Sequence, residues 1–454
     1  MMEEMKRLKA QWVYKIPEGW SISRIKYLVD PSQSYPIGDG DHGMISADDY
    51  LTEGLPYIRV LNLSWGKGLL LDNMVYINEE MNNKIKNSEL RPRDILIAKT
   101  GATIGKTAIV PDWIPRSNTT SHVGKITLPK SACPEYFYHQ MCSEIIQKQI
   151  ENMSAMQSTR PELGIEGLKN LVVVVPPLEE QIAIAAFLDD ECAKLEDIIT
   201  TVQQQIEILQ TYRNSFVSEV ITKGLNPNAQ MKDSGILWVG KIPAHWSFKR
   251  LKYMLETEDS MRVGPFGSAL SAEEYVEDGK WVYTQRVVLD NDFTENDAFI
   301  SDEKYSELRG FKVKPGDILL TTRGTIGRTA IVPNNAPEGV LHPCIIRFRM
   351  NKNVLIPELA QLIFNETDFV RKQFVYLSNA TTIDVIYSYS LKEILLPVIP
   401  ENEQIEILSF LRKRLLEIDQ ILLEKKKQLK AIQDHKASVI FEYVTGKKRV
   451  KEVV

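Results

Sequence analysis

The sequence predicts an α+β fold: two similar globular domains separated by two long antiparallel coiled-coil helices, the halves related by an internal pseudo-two-fold repeat. Three observations carry this expectation. The chain of 454 residues is written twice, and each copy closes in a stretch free of Pro and Gly with heptad spacing. The remainder of each copy mixes turn residues with short β-type runs such as ILIA and IIRFRM and helical runs such as EYFYHQMCSEIIQKQI.

The repeat sets the order of elements. IPEGWSISRIKYL (16–28) returns as IPAHWSFKRLKYM (242–254), and ADDYLTEG (47–54) as AEEYVEDG (272–279). RDILIAKTG (93–101) then returns as GDILLTTRG (316–324), and NLVVVVPPLEEQI (170–182) as EILLPVIPENEQI (393–405). Order is kept while the offset drifts from 226 to 223. The expected boundaries are a globular domain over 1–178, a spacer helix over 179–222, a linker and second globular domain over 223–400, a second spacer helix over 401–446 and a tail over 447–454. The stretch KGLNPNAQMKDSG between the halves is polar and rich in turn formers, as a linker is.

After Glu180-Gln181, the residues Leu188, Cys192, Leu195, Ile199, Val202, Ile206, Leu209, Arg213, Phe216 and Val220 step by alternating four and three. That is a coiled-coil seam. The same seam follows Glu403-Gln404 as Leu411, Leu415, Ile418, Leu422, Lys425, Leu429, Ile432, Lys436, Val439 and Tyr443, with a basic residue, Arg213 or Lys436, at the same late position. Two helices packing separately on their own domains is the other reading, and the matched register favours a pair. A seam of 33 residues spans about 50 Å, and the short ties between the second domain and both helices favour an antiparallel arrangement. For the two Glu-Gln pairs, capping of the helix N-terminus suits the acids, with subunit docking as a further role.

Length alone implies about two to four domains. No run of eighteen apolar residues exists, and the opening MMEEMKRLKAQ lacks an apolar signal core, so a cytoplasmic protein without membrane segments is expected. Four cysteines without CxxC spacing give neither a disulfide framework nor a zinc site, and six dispersed histidines give no metal site. The net charge of −5 argues against coating nucleic acid through bulk charge and leaves room for local basic patches.

Several motifs fail on inspection. KTGATIGKTAIV (99–110) has three residues between Gly101 and Gly105 where a phosphate loop needs four, and its repeat TTRGTIGRTAIV (321–332) has two and carries Arg328 in place of the lysine. IGDGDHG (37–43) fits G-x-G-x-x-G formally but lacks the buried strand and following helix of a dinucleotide fingerprint, and reads as a turn. The nearest approach to an Asn-Pro-Pro-Tyr methylation motif, Asn226-Pro227-Asn228, sits in the linker.

Two unequal domains on a rigid spacer suit a partner read at two places along a line. DNA fits, because half-sites of dimeric readers lie roughly 34 to 36 Å apart, the scale of the spacer. The IPxxW opening, the GDIL…G…IGK/R phrase, the Pro-rich step into Glu-Gln-Ile and the helix endings SEVITKG and FEYVTGK together resemble the specificity subunit of type I restriction–modification systems, over nearly the whole chain. The resemblance implies two target-recognition domains on split double-stranded DNA, helices that dock two modification subunits, and restriction subunits in the larger complex. It implies no catalysis here: S-adenosylmethionine, ATP and Mg belong to the partners. The competing reading is a coiled-coil adaptor joining two protein-binding domains without DNA sequence preference.

Candidate DNA contacts fall in three repeated places. Lys99, Thr100, Thr103 and Lys106, answered by Thr322, Arg323, Thr325 and Arg328, set cations and hydroxyls around glycines that let backbone approach a duplex. A structural β-turn with solvated basic flanks is the alternative for the same loop. Tyr57, Arg59 and Asn62, answered by Tyr283, Thr284, Gln285 and Arg286, include side chains that read guanine and adenine bidentately. Arg160, answered by Thr381 and Thr382, occupies a late loop in each copy.

Overall fold

A computed structural model of the protein describes residues 16–66, 68–114, 116–154, 161–266, 269–378 and 385–450. The chain forms two compact units, Met1–Gln203 with Lys427–Val454, and Gln204–Lys426. The same topology is built in each. In the first unit a four-stranded antiparallel sheet runs in the order Ile37–Asp39, Val123–Ile126, Ile95–Ala98, Thr107–Ile109. In the second unit the order is Met261–Val263, Ile345–Phe348, Ile318–Thr321, Thr329–Ile331. The central strands ILIA and ILLT are buried at every position, as a strand covered on both faces must be.

A second small sheet also repeats. Leu55–Ile58 pairs antiparallel with Val75–Ile77 and parallel with Asn118–Thr119, while Lys280–Tyr283 pairs antiparallel with Phe299–Ile300 and parallel with Gly339–Leu341. A two-stranded ribbon joins the start of each globular part to its end, Ser21–Arg24 with Val172–Val175 and Ser247–Arg250 with Leu395–Val398. Pro134 and Pro357 open the main helices Pro134–Cys142 and Pro357–Glu366, where a missing N–H costs nothing.

The long helices are Leu178–Lys223 and Glu401–Val444. In the first unit Leu188, Leu195, Ile199, Val202 and Val439 are buried and Leu429 and Ile432 half-buried. Phe187 packs on Tyr443 with ring centroids 4.3 Å apart and Lys436 Nζ donates to Glu196 Oε2 at 2.7 Å, so the paired segments run antiparallel. In the second unit Leu411, Leu415, Ile418 and Leu422 are buried and Ile206, Leu209 and Phe216 half-buried. Here Phe216 packs on Phe410 at 5.9 Å, and Arg213 pairs with Asp419 at 2.8 Å and with Glu366. The two basic seam positions therefore hold repeat-related ion pairs.

The repeated sequence phrases are the pins of this scaffold. Trp20 Nε1 donates to Glu180 Oε2 at 3.2 Å, and Trp246 Nε1 to Glu403 Oε2 at 3.0 Å, fixing the indole of each IPxxW to the first turn of a long helix. Gln181, 3% exposed, accepts from Cys133 N at 3.0 Å and donates to Pro176 O at 2.8 Å. Gln404, 1% exposed, accepts from Ile356 N at 2.8 Å and donates to Ile399 O at 2.7 Å. Beyond placing an acid in the first turn of each helix, the Glu-Gln pair ties the helix start to the globular core. At the other ends, Gly224 lies against the Trp246 ring and Gly446 against Pro17 and Trp20, both at φ +74.

Candidate nucleic-acid interface

The phrases that fail as phosphate loops are hairpin turns. Each follows a central strand and leads into another strand, not into the helix N-terminus that a phosphate loop requires. In the first unit Gly101 (φ +67) and Gly105 (φ +90) make the turn, closed by Gly105 N to Ala98 O at 2.9 Å and Ala98 N to Lys106 O at 2.8 Å. A Cβ on Gly105 would lie 2.1 Å from Gln147 Oε1, and Gln147 Nε2 donates to Gly105 O at 3.0 Å. In the second unit Gly324 (φ +63) and Gly327 (φ +76) make the turn, closed by Gly327 N to Thr321 O at 2.8 Å.

Each hairpin is flanked by the same two neighbours. On one side lies the late segment: Gly101 N donates to Pro161 O at 3.2 Å and Leu163 N to Lys99 O at 2.7 Å, while Ile386 N donates to Thr322 O at 2.9 Å. Arg160, Thr381 and Thr382 lie outside the described residues, and the segments that follow them, from Pro161 and from Val385, adjoin the hairpins. On the other side Lys99 N donates to His122 O at 2.8 Å and Thr322 N to Cys344 O at 3.0 Å. Close by, Gly40 and Gly264 pass carbonyls of Thr119 and His342 so tightly that a Cβ would fall within 1.9 and 2.0 Å of them. The IGDGDHG segment is this crossing: the strand Ile37–Asp39 and a turn, followed by the short 3-10 turn Ala47–Asp49 and not by an α-helix.

The exposed side chains of this cluster are Arg323, Thr325 and Arg328 in the second unit, with Thr100, Thr103 and Lys106 partly exposed in the first. Thr100 Oγ1 meets His122 Nδ1 at 3.0 Å, and Arg328 donates to Asn365 O at 2.8 Å. Two expected contacts are corrected. Lys99 is 2% exposed and ion-paired with Asp39, because its side chain passes over Gly124 of the intervening strand to reach the strand beyond. Thr322 is 4% exposed and donates to Cys344 O at 2.9 Å.

The second cluster is corrected more heavily. Tyr57 and Tyr283 point inward from strands and are fully buried, and burial pushes both phenols well above the ordinary tyrosine range. Asn62 is buried too. Its amide donates to Leu70 O at 3.1 Å and Asp72 O at 3.2 Å and its carbonyl accepts from Arg59 N at 3.0 Å, so it shapes the 59–73 loop from within. Arg59 stacks over Tyr50 at 5.3 Å and donates to Asn73 O at 2.5 Å. Thr284 stands at the N-cap position of the helix Gln285–Asp290, Gln285 is half-buried, and Arg286 is exposed, 3.7 Å from Asp297.

Sequence reading missed Tyr387 and Tyr389. Their rings stack at 5.4 Å and 10°, more than half exposed, directly after the strand bridge between Arg323 and Val385. The alternation in VIYSYS was the available signal, and the first unit has Gly164 and Glu166 at the matching positions. Among the described residues no group of three or more His, Cys, Asp or Glu side chains could hold a metal ion, and no helix is long and apolar enough to cross a membrane.

A family model for the type I restriction modification DNA specificity domain matches residues 43–208 and 246–432. Two curated relatives from Methanocaldococcus jannaschii, the putative type I restriction enzyme MjaX specificity subunit and the MjaVIII specificity subunit, are each 24% identical, over 96% and 97% of this chain and 95% of theirs. The EcoKI specificity subunit of Escherichia coli K12 is 23% identical over 77% of this chain and 72% of its own. Among solved structures, a chain from work on complex assembly and conformational transition of the type I R-M system shares the fold at a TM-score of 0.68. It is 15% identical, covering 96% of this chain and 100% of that one.

Proposed function

Since the chain belongs to the family of type I restriction modification DNA specificity domains, we propose that each of its units reads one half of a split, asymmetric duplex target. The chain is a specificity subunit of a type I restriction–modification system. The observation that carries the split-site reading is the repeated hairpin with its late segment: a like backbone frame built twice, one residue shorter in the second unit and flanked there by Arg323, Tyr387 and Tyr389 where the first has Thr100, Gly164 and Glu166. Arg323 and Arg328, the exposed cations of the second hairpin, suit guanine edges or phosphates; Thr103 and Lys106 match Thr325 and Arg328, and the first unit differs in having Thr100 where the second has Arg323, and Gly164 and Glu166 where it has Tyr387 and Tyr389. Unequal tips read unequal half-sites.

In this proposal the long helices dock two modification subunits, and restriction subunits complete the assembly. Methyl transfer from S-adenosylmethionine and ATP- and Mg-dependent cleavage are assigned to those partners, and this chain supplies recognition without turnover, in the cytoplasm where the genome lies. The test is single-molecule sequencing of genomic DNA from cells expressing the chain with its modification subunits. Methyladenine should appear in one split motif that vanishes without this chain and changes in one half when one unit is exchanged. Methylation indifferent to this chain would remove the proposal and return the adaptor reading.

A further inference from the structure

A second repeated surface lies one short helix away from each hairpin. In the first unit Arg24 and Lys26 both donate to Asn170 Oδ1 at 3.0 Å, and Lys26 sits 5.2 Å from the ring centre of Tyr27, which is 71% exposed. In the second unit Arg250 and Lys252 both pair with Glu393, at 3.0 and 2.6 Å, and Lys252 sits 5.2 Å from the ring centre of Tyr253, which is 66% exposed. Packing explains Ile25 and Leu251, which are buried, but gives no reason for an exposed tyrosine under a lysine to be kept in both copies.

Position supplies the reason. Asn170 and Glu393 end the helices Ile165–Asn170 and Ser388–Glu393, whose first turns follow the late segments bonded to the hairpins. Six residues of helix span about 9 Å, over which one DNA strand presents two or three phosphates at about 3.4 Å of axis each. Lys169 and Lys392 stand on the same two helices beside Asn170 and Glu393, so each patch gathers three cations against one carboxylate, Glu166 or Glu393, in a chain of net charge −5.

Resting on the specificity-subunit reading, we infer that Arg24, Lys26 and Tyr27, and Arg250, Lys252 and Tyr253, are paired phosphate clamps that hold the DNA backbone beside each recognition hairpin. The two half-sites differ in bases and share a backbone. A surface kept alike in both units, while Thr100 of the first gives way to Arg323 in the second and Gly164 and Glu166 to Tyr387 and Tyr389, matches what is alike in both half-sites. Guanidinium, ammonium and phenol hydroxyl all donate to phosphate oxygens.

The test compares the full chain, assembled with its modification subunits, against Arg24→Gln/Lys26→Gln and Arg250→Gln/Lys252→Gln. The probes are a fluorescein-labelled duplex carrying the methylation-mapped target and one of unrelated sequence, titrated from 50 to 200 mM salt. Each double variant should lower the slope of log K against log salt by about 1.8, on both duplexes alike, with the preference for target unchanged. Tyr27→Phe and Tyr253→Phe, which remove only a hydroxyl, should weaken both duplexes a few-fold and guard against a folding artefact. An unchanged slope in every variant would overturn the clamp. Loss of the modification subunits on size-exclusion chromatography would overturn it in favour of a protein-docking patch. A parent complex with no target preference would remove the reading beneath it, and the clamp with that reading.

Discussion

The ion pair between Lys99 and Asp39 gives the sharpest test of how the halves diverged. The side chains are 2% and 10% exposed, and the second unit has Thr322 and Val263 at the matching places. The match is fixed by register: Asp39 faces Gly124, which faces Ile97, as Val263 faces Ile346, which faces Leu320. Lys99→Thr alone strands a buried carboxylate whose remaining ion pair among the described residues is with His42, at 3.2 Å, and should cost about 3–5 kcal/mol. For a unit of this size that is a fall in Tm of about 6–20 °C. Adding Asp39→Val removes the stranded charge and should recover more than half of the loss. Recovery stays incomplete because the lysine stem fills space over Gly124, 3.2 Å from where a Cβ would stand, that Ile346 fills in the second unit. Calorimetry of the full chain reads the effect as a shift of one transition, since two units need not unfold together. If the single variant melts no lower than the double one, the buried-charge argument is wrong.

Three further outcomes follow from the same geometry. Gly105→Ala, forced to φ +90 and into Gln147, should cost about 2–3 kcal/mol in urea unfolding, whereas Gly101→Ala, at φ +67 with open space around it, should cost about 1–2; equal losses would deny the Gln147 contact any part. Arg213→Ala, which deserts Asp419 and Glu366, should destabilise the second unit by about 1–3 kcal/mol, and Lys436→Ala, which deserts Glu196, the first, so the two should lower different transitions. Desolvation pushes the thiols of Cys133 and Cys192 up to about 11 and that of Cys142 up to about 12. Raised values keep them protonated below pH 10 in the folded chain and not in the unfolded one. Iodoacetamide should therefore label them slowly from pH 8 to 10 and rapidly in urea, and stability should fall as pH rises from about 9; fast native labelling by peptide mass spectrometry would contradict this.

The architecture was legible because it rests on periodicity. A seam repeating at heptad spacing can be read one residue at a time, and Leu188 to Val202 and Leu411 to Leu422 lie buried where that spacing puts them. The repeated order of IPxxW, the hairpin phrase and Glu-Gln was likewise visible without coordinates, although the partner of each was not. That Glu180 answers Trp20 across 160 residues is a tertiary fact. The interface was legible only as a place. Tyr57, Tyr283 and Asn62 look like readers of bases in a string of residues, but strand direction and a loop's need for internal hydrogen bonds turn all three inward. Lys99 misled for the same reason, since nothing near it in sequence announces Asp39, 60 positions away.

A duplicated chain is its own comparison, and buried and exposed positions answer differently. In the core, identity is not required: where the first unit sets Asp39, Gly124 and Lys99, the second has Val263, Ile346 and Thr322 at the matching places, a charged pair over a glycine exchanged for an apolar pair and a hydroxyl. Packing tolerates such exchange as long as the sum fits. At the surface no neighbour enforces identity, so divergence is the default, and Thr100 against Arg323 and the Tyr387–Tyr389 pair against Gly164 and Glu166 show it. An exposed group that stays alike in both units is then informed by something outside the chain that is itself present twice. Tyr27 and Tyr253 meet that criterion, with the partly exposed Arg24 and Lys26 repeated beside them as Arg250 and Lys252, while the carboxylate that joins the cations in one unit, Glu393, is an amide, Asn170, in the other. The element that varies is the internal brace, and the elements that persist are an arginine and a lysine, partly exposed in at least one unit, beside an exposed tyrosine.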